Sequence, residues 1–141
     1  MSEYTKPLPI IGKTNREFWE GCKVGEFRLQ RCEDCGQFRF PASPLCRECL
    51  SSRFTWVKSK GRGTVFSYII YHQAFHKSFQ DEIPYAVAVV DLEEGVRIIS
   101  RIKNCPVDSI SIGMEVSVFF EPATDEIHLP FFEPTRDSTS L

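Results

Sequence analysis

Two cysteine pairs organise this chain: Cys32-Glu33-Asp34-Cys35-Gly36 and, separated from it by ten residues, Cys46-Arg47-Glu48-Cys49. Each C-x-x-C pair can present two thiolates on one side of a tight turn, and Gly36 stands where such a turn favours a residue without a Cβ atom. Two facing pairs supply four sulfurs, which suit a tetrahedral Zn²⁺ ion or iron in the same ligand set. Two disulfides or a redox C-x-x-C are the alternatives, but a redox motif usually occurs once and opens a helix after a strand. The spacing therefore predicts a metal site made by Cys32, Cys35, Cys46 and Cys49.

A metal held by four thiolates has no open coordination position, so we expect its role to be structural. Binding it would supply folding free energy to a short ribbon, at residues 27–60, that has little core of its own. Three short strands are expected there, at Phe27–Arg31, Phe38–Pro41 and Phe54–Val57. The filled site would be a dianion, and the neighbouring cations either offset it or are solvated surface charges: Arg31, Arg39 and Arg47.

The chain has 141 residues, with a hydrophobic content of 42% and a charged content of 26%, as is typical of a soluble globular protein. No apolar run approaches the ~20 residues of a membrane span. The N-terminal stretch Met1–Pro7 lacks the apolar core of a signal peptide. Thiols committed to a metal are typical of a reducing compartment. We therefore expect a cytoplasmic protein that does not contact a membrane.

Residues 1–26 are predicted to form an arm followed by a short helix. Thr14-Asn15-Arg16-Glu17 fits a capping box with Thr14 as the N-cap, which places the helix at Asn15–Cys22. Phe18, Trp19 and Cys22 fall at helical spacing on one face of it. A helix this short is marginal alone and must dock on something. Phe18 and Trp19 therefore pack either on their own domain or against a partner subunit.

The pattern becomes strand throughout after the polar, glycine-bearing segment Lys58–Gly63, and we place a domain boundary there. A second domain at residues 61–134 is expected to contain five strands, at Thr64–Tyr71, Tyr85–Leu92, Val96–Ile102, Glu115–Glu121 and Ile127–Phe132. The second strand is nearly continuous in apolar residues, which indicates burial on both faces. Glu93-Glu94-Gly95 is typical of a tight hairpin turn. Five short strands in roughly seventy residues predict a small closed barrel of the OB type, with residues 135–141 as a flexible tail.

These features occur together in a recognisable order. In the first half they are Phe18-Trp19, Gly25-Glu26-Phe27-Arg28-Leu29-Gln30-Arg31-Cys32, Cys35-Gly36, Phe40-Pro41 and the Cys46/Cys49 pair. In the second half they are Gly61-x-Gly63-Thr64-Val65, Pro84-Tyr85, Leu92-x-Glu94-Gly95, Ile112-Gly113 and Leu129-Pro130-x-Phe132. Over about residues 14–134, the sequence thus resembles an acyl-CoA-associated family, long catalogued as a domain of unknown function. That family joins a rubredoxin-like zinc ribbon to an OB-fold barrel.

The resemblance implies a helper protein. Members are similar in being small subunits of thiolase-like enzymes that make or break carbon–carbon bonds on CoA thioesters. They are thought to bind or channel the acyl-CoA, or to order the partner enzyme. The resemblance also implies one structural zinc ion per chain, on Cys32, Cys35, Cys46 and Cys49, and a hetero-oligomeric assembly. It carries no motif for contact with CoA.

Candidate contacts outside the metal site come from the residues alone. The third barrel strand alternates, with Ile98, Ser100 and Ile102 on one face and Arg97, Ile99, Arg101 and Lys103 on the other. Arg97, Arg101 and Lys103 thus form a basic stripe on one face, and such cations suit the phosphates of CoA. A stripe of this kind is more often solvated or paired with neighbouring acids. Phe75 and Phe79 lie in the long connection that also holds His72 and His76. They would cover an acyl group, meet a partner or tuck back onto the barrel.

Two other functions are open to this composition. A free-standing enzyme acting on acyl-CoA would need a reactive cysteine with histidine partners. The cysteines outside the ribbon, Cys22 and Cys105, have no histidine nearby in sequence and are interpreted as small, partly buried hydrophobes. We therefore expect the chain not to be an enzyme by itself.

The other alternative is a module that binds single-stranded nucleic acid, as both ribbons and OB barrels can. Residues 1–63 contain twelve Lys and Arg against seven Asp and Glu, whereas the remainder contains five against twelve. The predicted barrel is therefore acidic and repels phosphate at long range. Its first strand, in addition, has no basic residue between Thr64 and Tyr71. We expect no nucleic-acid partner.

Overall fold

The computed structural model describes residues 11–72 and 83–135. They form one helix, α1 (Arg16–Lys23), and eight strands: β1 (Arg28–Cys32), β2 (Phe38–Arg39), β3 (Phe54–Lys58), β4 (Arg62–Tyr71), β5 (Tyr85–Leu92), β6 (Arg97–Ile102), β7 (Glu115–Pro122) and β8 (His128–Pro134). A 3₁₀ turn spans Val107–Ser109. The part of the chain described here has no helix that is long and apolar enough to cross a membrane. The mainly β class predicted from the sequence is confirmed.

The first three strands form the ribbon. They make an antiparallel sheet in the order β2-β1-β3, with Gln30 opposite Arg39 on one side of β1 and Leu29 opposite Val57 on the other. β1 ends in Cys32, so the first cysteine pair extends directly from the central strand of this sheet. The sheet thereby sets where the metal site lies.

The other five strands close into a barrel in the order β4-β5-β6-β8-β7. β4 and β7 complete the ring through Gly63 and Val116, and all pairs are antiparallel except β6 and β8, which run parallel at Ile102 and Phe132. A five-stranded closed barrel of this kind is the OB architecture that the strand count predicted.

β5 differs from its sequence expectation. Ala86, Ala88 and Val90 are at most 1% exposed, whereas Val87 and Val89 between them are only partly buried. The prediction that both faces of this strand are fully buried was therefore wrong. In a narrow antiparallel barrel one face fills the interior, and the other face is covered only where another element packs on it.

α1 begins at Arg16, one residue later than predicted, and its N-cap is Asn15 without a side-chain capping hydrogen bond. The capping box headed by Thr14 was wrong. Asn15 Oδ1 instead accepts a hydrogen bond from Gly12 N at 2.7 Å, and Glu17 pairs with Arg28 Nη1 of β1 at 2.6 Å. Glu17 thus takes a partner eleven residues away, so the packing of α1 on β1 decides where the helix begins.

A single aromatic cluster joins the helix, the ribbon and the barrel. Phe27, just before β1, is 2% exposed and lies with its ring centroid 5.5 Å from Phe18 of α1. Its ring is also 6.1 Å from Phe40 and 6.3 Å from Phe132 of β8. The three modules therefore share one continuous core, which supplies the docking surface that the short helix requires.

Candidate functional site

The four cysteine sulfurs of the ribbon converge. All lie within 4.8 Å of one another, and the Cys32–Cys49 and Cys35–Cys46 Sγ pairs are each 3.5 Å apart. Sulfurs at the corners of a tetrahedron with ~2.3 Å Zn–S bonds are ~3.8 Å apart. The observed set therefore fits one Zn²⁺ ion with small adjustments. All four corners are protein thiolates, so a bound zinc ion has no position for substrate.

The two cysteine turns repeat one backbone pattern. Gly36 N donates to Cys32 O at 3.0 Å, and Leu50 N donates to Cys46 O at 2.9 Å. Gly36 has φ +80° and Leu50 has φ +62°, so each turn ends in the left-handed region. Glycine enters that region without strain, whereas a side chain there costs about 1 kcal/mol. The second turn accepts Leu50 at this position because a cysteine turn of this shape requires a left-handed residue there. The Leu50 side chain is 72% exposed and meets no obstacle.

Backbone N–H groups prepare two of the thiols for a metal. The N–H of Cys35 donates to Cys32 and lowers the pKa of that thiol to about 6. The N–H of Cys49 acts in the same way and lowers the pKa of Cys46. Hydrogen bonds of this kind favour the thiolate, the form that binds metal.

An ion pair links the two turns outside the sulfurs. Asp34, within the first turn, accepts hydrogen bonds from Arg53 and from the Ser51 hydroxyl, both of which follow the second turn. The pKa of Asp34 is lowered, chiefly by the hydrogen bond from Arg53. This contact joins the two cysteine turns through protein side chains alone, without a metal ion.

The arginines of the ribbon lie mainly on aromatic rings. The Arg31 guanidinium lies 5.4 Å from the Phe38 ring centroid, and the Arg39 guanidinium lies 4.7 Å from that of Phe54. Arg39 also donates to the buried Gln30 side chain at 3.0 Å. Arg39 is therefore part of the packing of the ribbon, while Arg31 and Arg47 are exposed.

The basic stripe is present on the outward face of β6, and each of its cations lies over an aromatic ring. Arg97 lies 3.8 Å from the Phe66 ring centroid and donates to Asp91 at 2.7 Å. The Arg101 guanidinium lies 4.5 Å from the Tyr85 ring centroid. The Lys103 ammonium lies 4.4 Å from the Phe131 ring centroid and pairs with Glu121 at 2.9 Å. The structure thus brings the three together on one face, where Asp91 pairs with Arg97 and Glu121 pairs with Lys103.

Between these cations the same face is apolar. Ile99, between Arg97 and Arg101, is 72% exposed, and Ile69 on β4 is 55% exposed. A cavity of about 280 Å³, here called the sheet groove, lies on one side of Ile99 and is lined by residues that include Ile69, Tyr71, Val87, Val89 and Ile99. A second cavity of about 300 Å³, the helix groove, lies on its other side and is lined by residues that include Trp19, Phe40, Ile99, Leu129 and Phe131. Sequence reasoning missed this surface, although the alternation along β6 already placed Ile99 among outward residues.

The remaining predicted contact residues have different positions. Phe18 is 5% exposed and lies beneath Trp19, so it contributes to the floor of the helix groove. Trp19 itself is partly exposed in that groove. Phe75 and Phe79, with His76, lie outside the described residues.

The two cysteines outside the ribbon, Cys22 and Cys105, are buried to different degrees. Cys22 is fully buried, and burial raises the pKa of its thiol to about 12. A thiol in such surroundings behaves as a small hydrophobe. Cys105 is partly buried and packs against the core.

The fold and the four-cysteine site together define a protein with a metal-binding ribbon fused to an OB barrel. Two domain families match the sequence: the ChsH2 rubredoxin-like zinc ribbon domain over residues 19–55, and the ChsH2 C-terminal OB-fold domain over residues 56–121. The chain belongs to the DUF35 family of zinc-ribbon/OB-fold proteins. The predicted zinc ribbon, with four cysteines positioned to bind one metal ion, is confirmed.

Three relatives place it within that family. A probable enoyl-CoA hydratase alpha subunit of Thermomonospora curvata is 37% identical over 92% of this chain and 40% of its own length. A DUF35 domain-containing scaffold protein of Methanothermobacter thermautotrophicus is 38% identical over 68% of this chain and 72% of its own. A solved structure titled Ltp2-ChsH2(DUF35) aldolase is 36% identical, with a TM-score of 0.80 over 90% of this chain and 98% of that chain. This chain thus spans less than half of the hydratase subunit but nearly all of the solved relative.

Proposed function

We propose that this chain is a non-catalytic accessory subunit that scaffolds an enzyme acting on acyl-CoA, of thiolase or aldolase type. The observation that carries the proposal is the similarity to a chain of the structure titled Ltp2-ChsH2(DUF35) aldolase, 98% of which this chain covers. That title names two components of one aldolase. The relative titled as a scaffold protein supports the same role. Catalysis is assigned to the partner enzyme.

The chemistry of the described residues agrees with a helper role. Four of the six cysteines are taken up by a closed site, and Cys22 is buried with a raised pKa. An acyl-enzyme requires an accessible thiolate or hydroxyl with an adjacent base. The metal would hold the ribbon in shape and has no vacant position for a thioester carbonyl.

The proposal extends to contact with acyl-CoA on the outward face of β6. An acyl-CoA is an apolar chain joined to phosphates, and this face combines apolar grooves with Arg97, Arg101 and Lys103. Arg97 and Asp91 are 57% and 39% exposed, and exposed ion pairs contribute little, about 0–1 kcal/mol. A phosphate could therefore replace the carboxylate partner of Arg97 with little penalty.

The same contacts count against the nucleic-acid alternative. Single-stranded nucleic acid is bound by stacking bases on free aromatic faces between cations. Here Arg97 lies over Phe66 and Arg101 over Tyr85, so a face of each ring is already occupied by the chain's own guanidinium.

The experiment is purification of the tagged chain from its native host, identification of the bound subunits, and reconstitution from recombinant proteins. We expect a CoA-thioester enzyme subunit at a fixed ratio, whose turnover or stability falls when this chain is omitted. The chain alone should not consume a thioester substrate. Recovery of this chain alone, or thioester turnover by this chain alone, would refute the accessory role.

Direct contact with CoA is tested separately. Calorimetric titration of CoA into the free chain, in which this face is uncovered, should show about tenfold weaker binding for Arg97→Gln, because one charge-assisted phosphate contact is lost. Arg53→Gln, an exposed arginine in the ribbon, is the matched control and should bind as the wild type does. Equal affinity of all three proteins would remove Arg97 from the CoA site and leave the scaffolding role standing.

A further inference from the structure

The outward face of β4, β5 and β6 concentrates exposed apolar side chains. Phe66 and Ile69 on β4 are 46% and 55% exposed, and Ile99 on β6, with β5 between the two strands, is 72% exposed. The register places Val89 between Ser67 and Ile99, so the patch is continuous across the three strands. Contiguous apolar surface of this kind marks an interaction site, whereas isolated exposed hydrophobics are ordinary.

The shape of this face suits a protein partner. Ile99 is a ridge, with the sheet groove of about 280 Å³ on one side and the helix groove of about 300 Å³ on the other. Side chains from a partner would enter both grooves and enclose Ile99. A central apolar anchor between filled pockets, with charged groups at the rim, is the arrangement found at binding hot spots.

Charge decides between a second copy and a different protein. Arg97 and Arg101 flank Ile99 on the same strand face. A two-fold contact centred on Ile99 would bring these arginines against the arginines of the other copy, because Arg97 and Arg101 lie symmetrically about Ile99 and such interfaces are self-complementary. Like charges brought together at an interface are unfavourable, whereas carboxylates on a different partner would pair with them.

We propose that this Ile99-centred face, formed by the two grooves and the arginines beside Ile99, is the docking surface for the enzyme subunit. The occupant is an apolar protein surface with carboxylates at its rim. This inference rests on the proposed function and specifies where on this chain the partner binds. Trp19 forms part of the same surface through the helix groove.

The test uses the recombinant enzyme subunit from the reconstitution above and measures its affinity for three forms of the full chain by biolayer interferometry. Ile99→Asp should weaken binding at least ~30-fold, since a hot-spot loss of ~2 kcal/mol corresponds to that factor. Ile112→Asp is the matched control, because Ile112 is 71% exposed and lines neither groove. It should bind as the wild type does.

Zinc content and thermal unfolding verify that the variants are folded. If Ile99→Asp does not fold, Ile69→Asp on the far wall of the sheet groove replaces it, with at least ~10-fold weaker binding expected. Tight wild-type binding that survives these substitutions overturns the docking surface but leaves the accessory role intact. A wild-type homodimer that Ile99→Asp dissociates would assign the face to a second copy and overturn the inference. Failure of the wild-type chain to bind the enzyme subunit refutes the proposed function itself.

Discussion

Phe27 should be the side chain on which the joint stability of ribbon and barrel depends. It is 2% exposed and contacts one ring each from α1, the ribbon and β8: Phe18, Phe40 and Phe132. Truncation of a buried phenylalanine to alanine costs about 3–5 kcal/mol. Each aromatic pair adds about 0.5–1.5 kcal/mol beyond the buried area. Because Phe27 takes part in three such pairs, we expect Phe27→Ala to lose about 4–5 kcal/mol, near the top of that range.

The assay is equilibrium unfolding in urea, followed by tryptophan fluorescence and by far-UV circular dichroism. The fluorescence comes from Trp19 of α1 and Trp56 of β3, and the dichroism reports on both modules, so a shared core predicts coincident transitions for the two signals. Phe66→Ala is the matched control: the same truncation at a 46% exposed ring should cost less than about 1.5 kcal/mol. If Phe27→Ala leaves too little stability to measure, Phe27→Leu should still lose about 1–1.5 kcal/mol. A loss below about 1 kcal/mol for Phe27→Ala, or separate ribbon and barrel transitions in the wild type, would refute the shared core.

Three further outcomes are expected. The purified chain should contain one zinc ion. Removal of the zinc by a chelator should accelerate amide hydrogen exchange first in β1–β3, because these short strands depend on the metal for folding. Unchanged exchange after metal loss would contradict this. Gly63→Ala should lose more than ~2 kcal/mol in thermal or urea unfolding, because the added Cβ would collide with the Asp91 carbonyl of β5, whereas Gly12→Ala meets nothing and should be nearly neutral. Cys22, whose pKa burial raises to about 12, should resist iodoacetamide in the native protein at pH 8 and react only after unfolding; rapid native labelling, read by mass spectrometry, would show that the site opens.

The sequence predicted the ribbon and barrel well because their signals are local. Metal ligands in a ribbon come in pairs separated by two residues, so the cysteine spacing is visible without any tertiary contact. The alternation along Arg97–Ile102 likewise predicted which side chains of β6 face inward, and Ile98 and Ile102 are buried as that pattern requires. The turn at residues 93–95 was also predicted from the sequence, and in the structure Gly95 takes φ +96° there.

The sequence misled where a long-range contact outweighed a local preference. Thr14 has the right neighbours for a capping box, but Glu17 is drawn to Arg28, a residue eleven positions away. β5 is apolar throughout, yet only one of its faces reaches the barrel interior. Phe18 and Trp19 are adjacent in sequence, and the docking of α1 buries the first and leaves the second partly exposed.

By itself, then, the sequence determined the metal ligands, the number of barrel strands and the order of the two modules. These depend on spacing and periodicity, which are properties of neighbouring residues. Only the tertiary structure decided that Phe27 joins the modules, that three cations lie over aromatic rings, and that Ile99 stands between two grooves. Those features arise when barrel closure and helix docking bring together residues that are distant in sequence. The spacing and periodicity of neighbouring residues do not specify which of these distant residues will be in contact.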